Sequence, residues 1–520
     1  MKIKLVKKWG TYQKKIGILL ALLLVMGIFF RFINIDRKVY WDDEATNSLR
    51  TSGYTEKELF DQVYDGRVIG IEDLQKYQYP SSEKTVIDTI KSLAVEESQS
   101  PPLYYVMARF WMQWVDHSPT AMRSLSALIS LLAFPSIYWL CLELFELSLV
   151  GWIAIALLTV SPFHVIYAQE ARLYSLWTVT ILLSSAALLR AIRLKTKLSW
   201  GTYAAALAVG LYTFPFTALV AIGHGVYVFA TERFRLSKTI IAYLLTSLVA
   251  VIVYSPWIFL IITNSHKIGK WREQKLSLSV TIEKWALNFI HVFLDFNFER
   301  PEWTIIVLIP IIYAIYFLVR HAPLRVWLFI VTLIGVTELA LILPDLLKGG
   351  IRSTIDRYLI PCYLGIELAV AFLIASKITV LTVKKWQYRL WQVFALALIS
   401  CGVISCAIHS QAVTWWNKGP AVVYVRLANI INQADRPLLI SDGDRQIEGR
   451  ELALSYLLEP KVKLILLSKE NLNNLQIPNG FSDVFVFDPS GKLLEQIKKI
   501  PNRQLESADR GTTKVWLWRV

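Results

Sequence analysis

The densest group of reactive side chains is Tyr40-Trp41-Asp42-Asp43-Glu44, three consecutive carboxylates beside two aromatic rings, just beyond the first long apolar run. Mutual repulsion among such carboxylates raises at least one pKa, which suits a general base or a metal site. A solvated acidic loop or a helix N-terminus would use the same residues without chemistry. The position at a membrane edge favours function, because ionisable groups are costly to keep there. Glu170 and Arg172, between two apolar runs, either pair with each other or face a polar cavity. Arg357, in Asp356-Arg357-Tyr358-Leu359-Ile360-Pro361, either grips a phosphate with its guanidinium fork or snorkels to water. Ser98-Gln99-Ser100-Pro101-Pro102-Leu103-Tyr104 reads as a helix start. Lys267, Lys270 and Arg272 form a second cationic cluster, for which binding a lipid headgroup is the plainer use. His164 is read as a packed residue and is left outside the site.

The elements that position these groups are membrane helices. The chain has 520 residues, 55% of them hydrophobic and 18% charged, with mean hydropathy +0.44. That is too much apolar surface for one soluble core, so the excess faces lipid. The net charge of +15 sits in short loops between apolar runs, which marks topology and anionic-lipid contact and gives no stripe for nucleic acid. Cys141, Cys362, Cys401 and Cys406 lie in apolar stretches with no CxxC, so neither a disulfide framework nor a zinc site is indicated.

Eleven spans are predicted, near residues 16–35, 120–142, 149–167, 173–192, 199–214, 216–231, 239–262, 302–319, 325–343, 357–376 and 391–409. The first follows a basic stretch and ends in Phe29-Phe30-Arg31-Phe32, with no small-residue cleavage site, so it reads as an uncleaved anchor with a cytoplasmic N-terminus. The loops this count places in the cytoplasm are the basic ones. They carry Arg190, Arg193, Lys195 and Lys197, then Arg233, Arg235 and Lys238, then Arg320 and Arg325, then Lys377, Lys384, Lys385 and Arg389. The exception is 143–148, which has no cation. Segment 102–115 reaches only about 21 Å as a helix; its Tyr and Trp content and leading Pro-Pro fit an interfacial helix, and a short tilted span is the alternative. An odd count puts the long loop 36–120 and everything after about residue 409 outside the cell. The chain thus divides into a membrane module, 1–410, whose outer loop carries the acidic motif, and a tail, 411–520.

The tail alternates predicted strands (437–441, 461–467, 483–487, 513–518) with helices (422–434, 450–458, 492–499), the pattern of a small soluble α/β domain. It shows no Asp/Glu/His constellation, and a non-catalytic role in acceptor recognition or capping is expected.

Taken in order, Trp41-Asp42-Asp43-Glu44, Ser100-Pro101-Pro102-Leu103-Tyr104-Tyr105, Met122-Arg123-Ser124-Leu125-Ser126-Ala127, Gln169-Glu170-Ala171-Arg172 and Arg357-Tyr358-Leu359-Ile360-Pro361 resemble one family. It is the GT-C fold glycosyltransferases of family 39, which include the protein O-mannosyltransferases and the lipid A aminoarabinose transferases. The resemblance covers about residues 16–380. It implies a mainly α, polytopic fold of GT-C type with the small α/β domain appended. It also implies transfer of a sugar, with inversion, from a polyprenyl-phosphate donor to a lipid, glycan or protein acceptor on the outer face of the cell membrane. The chain has no Gly-rich nucleotide loop. The resemblance makes Asp43 the base and gives Glu44 the task of orienting the acceptor or a metal. Arg172 and Arg357 then stabilise the leaving phosphate, and Asp42, Glu170, Ser100, Tyr104 and Tyr358 are neighbours. Where relatives often carry His or Lys before the Pro, this chain has the uncharged Ser100, which moves a phosphate contact towards Lys270 or Arg272. No cofactor is required; a divalent metal, if one takes part, falls to Asp43 and Glu44. A membrane glycan polymerase or ligase is the nearer alternative. A lipid or polysaccharide transporter is the farther one, since neither repeated halves nor broken midplane helices are evident.

Overall fold

A computed structural model describes residues 10–264, 274–297, 304–379, 385–443, 449–501, 504–509 and 514–520. The chain divides into two compact units. One comprises Met1–Ile35, Ser98–Tyr104 and Arg123–Gln411; the other comprises Asp36–Glu97, Tyr105–Met122 and Ala412–Val520. Most of the loop 36–120 thus groups with the tail, a division that the linear order of apolar runs does not display.

The first unit is helical, as the apolar runs predict, and each predicted span is occupied by helix. Six of the described helices are long and apolar enough to cross a membrane, and a seventh is made by a bent pair, Ser148–Val160 and Pro162–Ala168. The helix Ile360–Thr379 is buried from Ile360 through Ser376, whereas Lys238–Thr263 turns many leucines, isoleucines and valines outward. Apolar on all sides, the first serves as a core helix and the second offers its surface to lipid.

The bend lies at Ser161–Pro162 and is 60°. Pro162 has no N–H, so the carbonyl of Leu158, four residues earlier, loses its helical partner. Arg31, fully buried in the first span, replaces it: its guanidinium donates to Leu158 O at 3.2 Å, Thr159 O at 3.0 Å and Ser130 Oγ at 3.1 Å. The approach is possible because residue 27 is glycine. A Cβ there would stand 2.1 Å from Thr159 Cγ2.

Loop ends predicted to share a side do meet. Arg193 forms a two-pronged pair with Glu143, both contacts at 2.8 Å, and Arg325 donates to the Glu143 carbonyl at 2.9 Å and pairs with Glu146 at 3.0 Å. The loop without cations therefore borrows them from two loops assigned to the same face. At the opposite ends, Gln169 donates to the carbonyls of Phe30 and Ile33, both at 2.9 Å. Arg123 donates to Ile35 O at 2.9 Å, and Asn34 to Ser410 O at 3.0 Å. The segment read as interfacial is a helix, Leu103–Trp114, far short of about 30 Å of hydrocarbon.

The second unit is built on a six-stranded sheet in the order β1-β3-β2-β4-β6-β5, with β1 Asp65–Gly70, β2 Pro437–Gly443, β3 Lys463–Ser468, β4 Asp483–Phe487, β5 Glu506–Ser507 and β6 Leu517–Arg519. The three central strands are parallel. Their near-continuous apolar runs are what a strand covered on both faces requires. Leu438, Ile440, Ile465, Leu467, Val484 and Val486 pack with Leu493 and Ile497 of the helix Gly491–Lys498. Strand β1 comes from the loop 36–120 and pairs antiparallel with β3. The chain leaves β2 for β3 on one side and returns to β4 on the other, so the carboxyl ends of β2 and β4 form a topological switch point, where α/β sheets place ligands and functional groups.

Candidate active site

Asp42–Thr51 is a helix whose first three residues are the three carboxylates. Trp41 precedes it in extended conformation and gives no side-chain cap, so the free N–H groups and the positive end of the helix dipole favour negative charge there. At about 100° per residue, consecutive side chains point to three different faces. Asp42 and Glu44 are buried, and Asp43 is half-exposed.

Each buried carboxylate has a partner from the tail. Lys418 Nζ donates to Glu44 Oε2 at 3.3 Å, with both side chains almost fully enclosed. Tyr424 Oη donates to Asp42 Oδ2 at 3.2 Å. Burial pushes the Asp42 carboxyl up to about 7, and neighbouring Asp43 and Glu451 add to the rise, while the Tyr424 hydroxyl and Arg450 oppose it. The far end of the helix is fixed by Arg50, buried and paired with Glu56, Glu96 and Glu97.

The raised pKa has a sign. In the folded protein Asp42 holds its proton up to about pH 7, against roughly 4 when unfolded, so the folded state binds the extra proton and stability falls as pH rises through that window. Asp42→Asn is expected to remove this part of the pH dependence, read as a flatter plot of melting temperature between pH 5 and 8.

Gly449, just before the helix Arg450–Ser455, has φ +75°. A Cβ there would lie 2.5 Å from Thr46 Oγ1 and 2.7 Å from the backbone oxygen of Asp42. Gly449→Ala is expected to cost about 2 kcal/mol from the left-handed backbone alone and to displace the first turn of the acidic helix. Melting temperature and turnover should both fall.

In the helical unit, Arg172 and Arg357 converge. Their guanidinium carbons lie 5.7 and 5.8 Å from the centroid of one ring, that of Tyr174. Arg172 stands in a tight turn, its N–H bonded to Glu170 O at 2.7 Å. Tyr104 and Ser126 share a hydrogen bond at 2.9 Å, and Ser126 Oγ donates to the Arg172 carbonyl at 3.2 Å, so Tyr104 helps to hold the turn. Arg357 lies on a short 3-10 turn whose Asp356 accepts from Tyr167 Oη at 2.5 Å. Tyr358 packs against Phe214 and Phe216. Both guanidiniums thus stand close to one ring centroid, and a guanidinium fork is a chemical match for phosphate.

Glu170 and Ser100 are buried in the same unit. Lys270 and Arg272 lie outside the described residues. His164 is buried, with its Nε2 3.3 Å from Glu367 Oε2. Among the described residues no three His, Cys, Asp or Glu side chains stand close enough together to hold a metal. Lys418, Tyr424 and Tyr174 were not among the residues singled out from sequence. Only Lys418 carried a signal, as a cation soon after the last span on the side the charge rule leaves poor in cations.

Residues 99–260 match the family model described as dolichyl-phosphate-mannose-protein mannosyltransferase. Among solved structures, ArnT from Cupriavidus metallidurans bound to undecaprenyl phosphate superposes with a TM-score of 0.54 and 13% identity over 96% of this chain and 97% of that one. AglB, the oligosaccharyltransferase of Archaeoglobus fulgidus, in complex with an inhibitory peptide and a dolichol-phosphate, gives 0.47 and 12% over 82% and 58%, too low to carry an argument. No curated protein sequence matches. The superposition with ArnT shows a GT-C-type membrane fold, and the segment 99–260 is similar to the mannosyltransferase family model. Both similarities lie in the direction that the ordered motifs predict.

Proposed function

We propose that the chain moves a sugar from a polyprenyl-phosphate donor to a lipid, glycan or protein acceptor at the extracytoplasmic face of the cell membrane, with inversion at the anomeric carbon. The observation that carries this reading is the pair Arg172 and Arg357 at the Tyr174 ring. The mannosyltransferase family description and the undecaprenyl phosphate in the ArnT structure support a lipid-phosphate donor.

In this mechanism Asp43, the half-exposed carboxylate, takes the proton of the acceptor hydroxyl as that oxygen attacks the anomeric carbon. The bond from that carbon to the phosphate oxygen breaks on the opposite face, and its electron pair leaves on the polyprenyl phosphate. Arg172 and Arg357 stabilise the charge that grows there. Glu44 contributes orientation, as expected from the resemblance.

The test is to incubate the purified protein in lipid nanodiscs with a panel of polyprenyl-phosphate sugars and an envelope lipid extract as acceptor source. One donor should be consumed, with release of polyprenyl phosphate and a product of inverted configuration. Consumption of diphosphate-linked oligosaccharides alone would replace this reading with a ligase.

A further inference from the structure

Two of the three faces of the acidic helix are taken up by tail side chains. Glu44, fully enclosed, meets the equally enclosed ammonium of Lys418, and Asp42 meets Tyr424. Lys418 and Tyr424 come from adjoining turns, Trp416–Val422 and Tyr424–Asn432, just before β2. The helix Arg450–Ser455 follows β2 and packs on the acidic helix through Gly449. Three tail elements on either side of β2 therefore converge on the acidic helix and hold two of its three carboxylates. Stability alone does not call for this arrangement. Burying an ammonium and a carboxylate costs several kcal/mol, and apolar side chains of the same volume commonly do as well or better. What a buried pair supplies is a fixed orientation.

We propose that Lys418 and Tyr424 are positioning residues for the transfer, fixing Glu44 and Asp42 so that Asp43 alone of the three carboxylates is presented to the acceptor. The inference rests on the reading above that Asp43 is the base, and it makes the tail a working part of the catalytic unit. With Lys418 removed, Glu44 loses the ammonium held at its Oε2 and with it part of what fixes the first helical turn.

The full-length protein in nanodiscs tests this through Lys418→Met, Lys418→Arg and Tyr424→Phe. The first readout is kcat against donor KM. Lys418→Met should lower kcat by about 10²-fold, as a misplacement near 1 Å does, and leave donor KM within about twofold. Lys418→Arg should recover most of the loss. The second readout does not depend on activity. Carbodiimide with an amine probe, followed by mass spectrometry, should modify Asp43 but not Asp42 or Glu44 in the wild type, and should modify Glu44 as well in Lys418→Met. Should that variant fail to fold, Tyr424→Phe decides, with a lowered kcat and newly labelled Asp42. A variant that folds with kcat within about twofold of wild type, or with the same labelling pattern as wild type, overturns the inference. If the wild type consumes no donor, the proposed function falls while the labelling still decides the placement of the carboxylates.

Discussion

Asp43→Asn is expected to lower the rate of sugar transfer by about 10²- to 10⁴-fold, the range that a positioned base supplies, without unfolding the protein. Asparagine has the shape of aspartate and keeps an oxygen acceptor, but it cannot take a proton. The substitution touches neither buried pair, since Lys418 is bonded to Glu44 and Tyr424 to Asp42. Asp43 is the least buried of the three. Steady-state release of polyprenyl phosphate, measured beside a thermal melt, separates the two effects. The result that would sink the assignment is turnover within about tenfold of wild type at an unchanged melting temperature, which would require another base.

The second large effect is expected at the arginine pair. Arg172→Ala and Arg357→Ala should each lower kcat/KM by about 10²-fold, the cost of losing one donor to a charge that grows in the transition state. If both guanidiniums serve one anion, as the proposed mechanism has it, the double variant should lose less than the product of the single losses. Lysine at either position restores charge but not the planar fork and should rescue only in part. Binding of polyprenyl phosphate alone, followed by competition, should weaken in parallel. Additive losses with unchanged lipid-phosphate binding would place the two arginines at separate tasks.

The spans were readable because a membrane helix is a local property. A run of about 20 apolar residues is long enough to cross, whatever surrounds it, and the predicted segments coincide with helices. The tail strands were readable for a related reason, since parallel strands buried on both faces are short unbroken apolar runs, and β2, β3 and β4 fall within a few residues of the predicted limits. The break at Ser161–Pro162 was not separated from the third span. A proline in a membrane helix is tolerated wherever another group takes the freed carbonyl, and here that group is Arg31, 127 residues from Leu158.

The acidic motif shows the same boundary. The sequence by itself determined that three carboxylates stand together beyond the first span, and their order with the later motifs carried the resemblance to the glycosyltransferase family. Charge and spacing are alike for Asp42, Asp43 and Glu44, so it was the resemblance alone that singled out Asp43 and Glu44. Tertiary structure gives them different surroundings by bringing Lys418 to Glu44 across 374 residues of chain and Tyr424 to Asp42 across 382. Apolar length and strand pattern are set by neighbours along the chain. The protonation and direction of a carboxylate are set by burial and by partners that only folding supplies.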